Sequence, residues 1–218
     1  MKMKLKNKEK KLKKINITNI LNNKLTTKNL IIFLISFFII SFIIGSIFYI
    51  YLNSNDKELI KSNINTYFTI EDSIDYLKRF KDTLLETIFN VIKIWILGIS
   101  VIGIVIVIFL YFIEGFSTGF TCFSIIKTFK FKGIVGTLSF LFPSRITYLF
   151  LFFVLSVFAI RISYKIILLL FFKKDIDINK EMKRYFKILI FSLIFSCFYS
   201  VLETFITPFM IKLFNIIK

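Results

Sequence analysis

Apolar positions along this chain do not alternate with polar ones; they run together. Residues 29–52, NLIIFLISFFIISFIIGSIFYIYL, carry no charge over 24 positions, enough for about 36 Å of helix. The run ends in Tyr49 and Tyr51, residues suited to a membrane interface. A secretory h-region would be shorter and followed by a small-x-small cleavage site, so this segment reads as a retained anchor. Similar runs predict spans over about 89–112, 146–170 and 188–211. Lys93 and Trp95 are expected near the outer end of the second, the ammonium snorkelling and the indole among headgroups.

The stretch 114–142 breaks the pattern. Six of the seven glycines and one of the two prolines lie between Gly98 and Pro143. GFSTGFTCF sets Gly115 and Gly119 one turn apart, and Gly133 and Gly136 open a second short apolar piece after KTFKFK. Neither half makes a comfortable helical span, so a broken or re-entrant crossing is predicted, tolerated only where protein or a polar cavity covers the backbone. Pro143 sits where the next helix starts, and its missing amide costs nothing there. The expected fold is all-α and polytopic, with about five transmembrane helices and a broken or re-entrant glycine-rich centre.

Polar segments set the orientation. The tail 1–28 holds ten lysines against Glu9 alone, which suits anionic lipid at a cytoplasmic face. It either lies on the membrane as a frayed amphipathic helix or has no fixed structure, and Thr26 or Thr27 caps the helix that follows. The loop 173–187 has six basic and three acidic residues, and so belongs on the same side. The loop 53–87 has seven acidic and five basic residues and belongs outside. Ile70, Ile74, Leu77, Phe80, Leu84, Leu85 and Ile88 recur at helical spacing, so an amphipathic helix is expected along the outer surface into the second span. That loop is either a docking surface or a plain connector. An even number of crossings must separate 28 from 173, so the broken region crosses once. Five spans result, N-terminus inside and C-terminus outside, with 1–28 a tail and 29–218 one membrane domain. The side occupied by Lys127, Lys130 and Lys132 stays open.

Composition narrows the function. With 56% hydrophobic residues, mean hydropathy +0.77 and thirty phenylalanines, the chain has more apolar side chain than a soluble core of this length could hide. The Phe and Ile excess reads as lipid-facing surface. Histidine is absent, which excludes His-based catalysis and His-ligated metals. Cys122 and Cys197 are expected to be buried thiols acting as small hydrophobes. The net charge of +17 is concentrated in the tail, with no soluble reader behind it, so nucleic acid is not an expected partner. No phosphate loop and no pair of carboxylates outside the membrane is present; no catalytic, cofactor or metal residue is assigned, and no enzyme is expected. Gly-x-x-x-Gly at 115–119 supports only close helix packing.

The intramembrane charges are the informative residues. Glu203, in SVLETFITPF, is costly in lipid unless protonated, paired or wetted, and Arg145 is its expected partner. Structural pairing and an ion or proton pathway are both open for it. Arg161 and Lys165 are expected to snorkel, and Glu114 to be exposed at an interface.

These pieces together resemble the stage II sporulation protein M family of five-span membrane proteins. WILGISVIG at 95–103, EGFSTGFTCF at 114–123, SFLFP ending at Pro143 and LETFITPFM at 202–210 carry the likeness, in the family's order and spacing. On it, Glu203 and Pro208 fall on the family's Glu and Pro, and Gly98, Gly103, Gly115 and Gly119 on its central glycines. Broader relatives carry an acidic residue or histidine after the central proline; here Ser144 and Arg145 stand there. The resemblance implies a non-enzymatic scaffold of forespore engulfment that holds the wall-degrading stage II sporulation proteins D and P at the septal membrane. A transporter or permease-like subunit using the broken third span and Glu203 is the alternative. Homo-oligomerisation stays open.

Overall fold

A computed structural model describes residues 27–69, 75–172 and 177–217; most of the basic tail, Ile70, Ile74 and the first residues of the 173–187 loop lie outside them. The described residues are helical throughout, with no strand among them. Helix α1 is Thr27–Phe48, extended by a 3-10 turn at Tyr49–Tyr51. Then come α2 (Ser54–Phe68), α3 (Tyr76–Ile99), α4 (Gly103–Phe129) and α5 (Lys132–Phe140). Helices α6 (Ile146–Phe172), α7 (Ile178–Val201) and α8 (Thr207–Ile217) complete the fold. Two π-helical turns, Leu141–Arg145 and Leu202–Ile206, join α5 to α6 and α7 to α8.

Four helical stretches are long and apolar enough to cross a membrane: Thr27–Tyr51, Gly103–Phe129, Lys132–Phe172 and Ile178–Ile216. Helix α3 is 24 residues long but has Lys78, Arg79, Lys81, Asp82 and Glu86 in its first half. It nevertheless runs beside the others. It is antiparallel to α7, with Arg79 against Glu203 and Trp95 against Tyr185, and parallel to α6, with Asn90 against Tyr148 and Gly98 against Ser163.

The expected second and third passes divide differently. Residues 89–112 are not one helix: the chain turns at 100–102, where Ser100 becomes extended and its N–H bonds the Leu97 carbonyl. Gly103 is tucked against that carbonyl so closely that a Cβ would overlap it. Ser163 Oγ lies 2.7 Å from the Gly98 carbonyl and 2.9 Å from that of Ser100, tying α6 to the turn. Because α3 begins at Tyr76, Trp95 lies at this turn end and not near the beginning of a span; it stacks on Tyr185. Asp75 caps α3 by accepting from the N–H groups of Leu77 and Lys78. The helix expected in the second half of the 53–87 loop is thus present from Tyr76 on, but it packs beside the other helices instead of lying apart along the outer surface.

GFSTGFTCF, in turn, is uninterrupted within α4. The breaks fall at Lys130, with φ 53°, and at Phe142, which leaves helical geometry (φ −106°, ψ 135°) before the cis-linked Pro143. Residues before proline are biased against the helical region. Helix α5 folds back on α4, with Gly133 against the Ile126 backbone, and continues into α6 as one bent rod instead of returning. Lys127, Lys130 and Lys132 thus lie at the end of the bundle where α1 finishes, since Tyr49 meets Phe123. At the same end Ile64, Phe68, Ile125, Ile211 and Phe214 form a small core joining α2, α4 and α8.

Small residues let helices approach. Helices α1 and α4 run parallel, Gly115 against Ser41 and Gly119 against the Phe42 backbone, with Ser46 Oγ donating to the Gly119 carbonyl at 3.1 Å. Helix α7 and the π turn that follows it bury Ser192, Ser196, Ser200 and Thr204 completely, one every fourth residue, along the face that meets α3 and α6. Cys122 is buried but Cys197, expected inside, is exposed on α7, one turn from exposed Ile194 and next to exposed Phe198. A β-branched side chain at Gly119 collides with Phe42 backbone that cannot move without α1. Gly119→Val is therefore expected to cost about 1–3 kcal/mol, read as a lower unfolding temperature in detergent, whereas Ser117→Val on the exposed side of α4 is expected to leave it unchanged.

Candidate functional site

The two π turns face each other in the bundle, and each adjoins a proline. Pro208 has no N–H for the Thr204 carbonyl four residues back, and its ring crowds that carbonyl. A widened turn at Leu202–Ile206 accommodates both effects. Pro143 sits within the other, Leu141–Arg145. The turns bring together side chains that regular helices would separate.

From the second turn, Glu203 accepts from Arg79 Nη2 of α3 at 3.2 Å and from Thr207 Oγ1 at 2.9 Å. Ser144, from the first turn, completes the chain by donating to Thr207 Oγ1 at 2.9 Å. Arg145 does not reach Glu203. Its Nη2 donates to Glu114 Oε2 at 2.8 Å and to Thr118 Oγ1 at 3.0 Å, both on α4. The other carboxylate oxygen of Glu114 accepts from Tyr148 OH at 3.3 Å, and Tyr148 accepts from Asn90 Nδ2 at 3.4 Å. Lys93 Nζ donates to Asn90 Oδ1 at 2.9 Å. The expected Arg145–Glu203 pair is thus replaced by two pairs, because the Leu141–Arg145 turn aims the guanidinium at α4. Glu114, expected at an interface, lies near the middle of a 27-residue apolar helix with its side chain 21% exposed.

Together the two pairs join α3, α4, α6 and both π turns. Each carboxylate has a cation and a hydroxyl donor, which is the condition for holding charge at bilayer depth. Tyr67 of α2 approaches the Glu203 pair; burial, with the negative charge of Glu203, pushes its phenol well above the usual range, so it stays neutral. A polar cavity of about 210 Å³ adjoins the Glu114 pair, lined by Thr83, Glu86, Thr87, Asn90, Ser117 and Tyr199 among others. Farther along α6, Lys165 Nζ bonds Glu181 Oε2 at 2.6 Å, which Arg184 also approaches at 3.5 Å. Lys165, expected to snorkel, is therefore paired, while Arg161 beside it is exposed. Arg79, Glu114 and Tyr148 carry roles the sequence did not assign. Arg79 lies in a segment that reads as a helix on the outer surface, away from the intramembrane charges, and Glu114 next to a glycine run that reads as a break.

A model of the family described as stage II sporulation protein M matches residues 33–208. The chain belongs to that family. Comparison with curated proteins and with solved structures gives no match. As a member of that family, the chain is a sporulation-related, multi-pass membrane protein. The matched region takes in both π turns, both ion pairs and the α1–α4 glycine contact. Of the residues singled out from the sequence, Glu203, Pro208, Pro143 and Arg145 lie on or beside the π turns. Gly115 and Gly119 form the α1 contact, while Gly98 and Gly103 flank the α3–α4 turn.

Proposed function

We propose that this member of the stage II sporulation protein M family is a non-enzymatic scaffold in the membrane that engulfs the forespore. It holds the wall-degrading stage II sporulation proteins D and P at the septum. Five passes cross the bilayer: α1, α3, α4, α5–α6 and α7–α8. The basic tail, attracted by anionic lipid, is cytoplasmic, which puts α2, the KTFKFK turn and the end of α8 outside.

One observation carries the reading. Both of the paired carboxylates at the π turns are neutralised by arginines of other helices and donated to by hydroxyls. A carboxylate that carries protons or ions must exchange its partners; these two are fixed in a frame that locks four helices and presents the outer-end aromatic core as a rigid platform. The test is affinity capture of the full chain from sporulating cells in mild detergent, with captured proteins identified by mass spectrometry. Stage II sporulation proteins D and P are expected with the wild type. Capture of neither, with the bait at normal level, overturns the scaffold reading.

A further inference from the structure

The polar cavity beside Glu114 opens sideways. Helices α3 and α4, joined by three residues, pack against each other far less than α1 packs against α4, and the gap between them is the cavity mouth. Glu86 of α3 stands there, exposed, between Leu85 and Phe89, which are 65% and 67% exposed. Across the mouth are Ser117 and Ile113 of α4, both exposed. Glu114 lines the same cavity from the middle of α4, so Glu86 lies at bilayer depth.

Glu114 and Glu203 each have an arginine; Glu86 has no ion-pair partner among the described residues. A carboxylate on a lipid-facing surface at that depth is costly unless a cation meets it. The wall offers no protein cation to spare: Arg145 is held by Glu114 and Thr118, and Lys93 by Asn90. A second copy does not supply one either. Lys93 is seven residues farther along the same helix, about 10 Å deeper. Lys81 and Lys78 of α3 are exposed but lie five and eight residues before Glu86, about 7 and 12 Å nearer the outer end. The remaining cations of α4 to α7 lie toward the two ends, Lys127, Lys130 and Lys132 at one and Arg161, Lys165 and Arg184 at the other. Two parallel copies related by an axis along the membrane normal would set Glu86 against Glu86. The small side chains Thr83 and Ser117 at the mouth allow a helix backbone to come close.

We propose that the α3–α4 cleft seats a single membrane helix of a partner that carries a lysine or arginine at mid-bilayer depth, paired with Glu86. Which protein supplies that helix rests on the scaffold reading; the chemistry of the cleft does not. In lipid nanodiscs, the full chain is mixed with a Leu/Ala transmembrane peptide of about 20 residues carrying one central lysine. The same peptide with glutamine in that place is the control. Wild type is expected to bind the lysine peptide about ten-fold more tightly, the weight of one intramembrane polar contact. Glu86→Gln is expected to abolish that preference, and Glu86→Asp to keep most of it with an unchanged unfolding temperature. No preference in wild type, a preference that survives Glu86→Gln, or a self-dimer that excludes the peptide overturns the proposal. Affinity capture with the same variants separates the two readings. A lysine preference without capture of the wall-degrading proteins sinks the scaffold assignment and leaves the cleft standing. Equal capture by wild type and Glu86→Gln removes those proteins as its occupants.

Discussion

Arg145→Ala is expected to destabilise the bundle by about 3–5 kcal/mol, the usual cost of removing one partner from a buried ion pair. Three losses combine. Glu114 stays behind near the middle of α4 with only Tyr148 to donate to it. Thr118 Oγ1 loses the guanidinium it accepts from through two nitrogens, at 3.0 and 3.3 Å. The Tyr148 ring loses the cation that lies 5.2 Å from its centroid. The cavity next to Glu114 lets some water reach the stranded carboxylate, which puts the expected cost toward the lower end of the range. The double variant Glu114→Gln with Arg145→Gln leaves no bare charge and keeps hydrogen-bonding groups on both sides. It is expected to recover at least half of the loss. Thermal unfolding of the detergent-solubilised full chain measures both variants. If Arg145→Ala falls within about 0.5 kcal/mol of wild type, the range of ordinary surface substitutions, the pair does not hold the helices together.

Hydropathy made the helical membrane class and the first and last spans legible, because in those segments apolar side chains are continuous. It misplaced the middle of the chain for a physical reason. A helix that packs its polar face into a bundle need not be apolar all round. Helix α3 turns Arg79, Thr87 and Asn90 toward its neighbours, and its charged first half reads as a surface helix outside the span instead of part of it. The glycines misled in the opposite direction. Gly115 and Gly119 read as a weak point, but the space they leave is filled by α1, by the Ser41 and Phe38 side chains at Gly115 and by the Phe42 backbone at Gly119, so the helix there is well supported. A break needs a local cause, and the actual ones, Lys130 and Phe142, sit beside a tight turn and a proline. Glu203 was legible as a buried charge from its position alone. Its partner was not, because the π turn at 202–206 fixes its direction, and a bulge of that kind leaves little trace in residue periodicity. The spacing Ser192, Ser196, Ser200, Thr204 was readable as a close-packing stripe and is the signal that would have placed α7 at the centre.

Glu203→Ala is expected to cost about 2–4 kcal/mol, somewhat less than loss of Arg145. The ordering follows from exposure. The group left behind is Arg79, 31% exposed, against 21% for Glu114, the group stranded by loss of Arg145; Arg79 also sits near the start of α3, so the freed guanidinium reaches water more easily. What the variant removes is the ion pair between α3 and the second π turn, together with the acceptor that orients Thr207. Ser144 and Thr207 keep their mutual hydrogen bond, which holds the two π turns together, and Tyr76 still stacks on Phe205, so the first half of α3 stays on the turn by apolar contact without its charge pair. Local loosening of α2 and α3 is the expected consequence, visible as faster amide exchange over 76–86 with α4 and α6 unaffected. A double-mutant cycle with Arg79→Ala isolates the pair, with an expected coupling of about 1–3 kcal/mol. Glu203→Gln keeps the Thr207 contact but not the charge, so the difference between it and Glu203→Ala separates the hydroxyl from the arginine. If coupling is near zero while capture of the wall-degrading proteins is lost, Glu203 acts in partner binding and not in holding α3. If coupling is found and capture is lost together with ordered α2 and α3, the outer platform depends on this pair, and the scaffold reading gains its physical basis there.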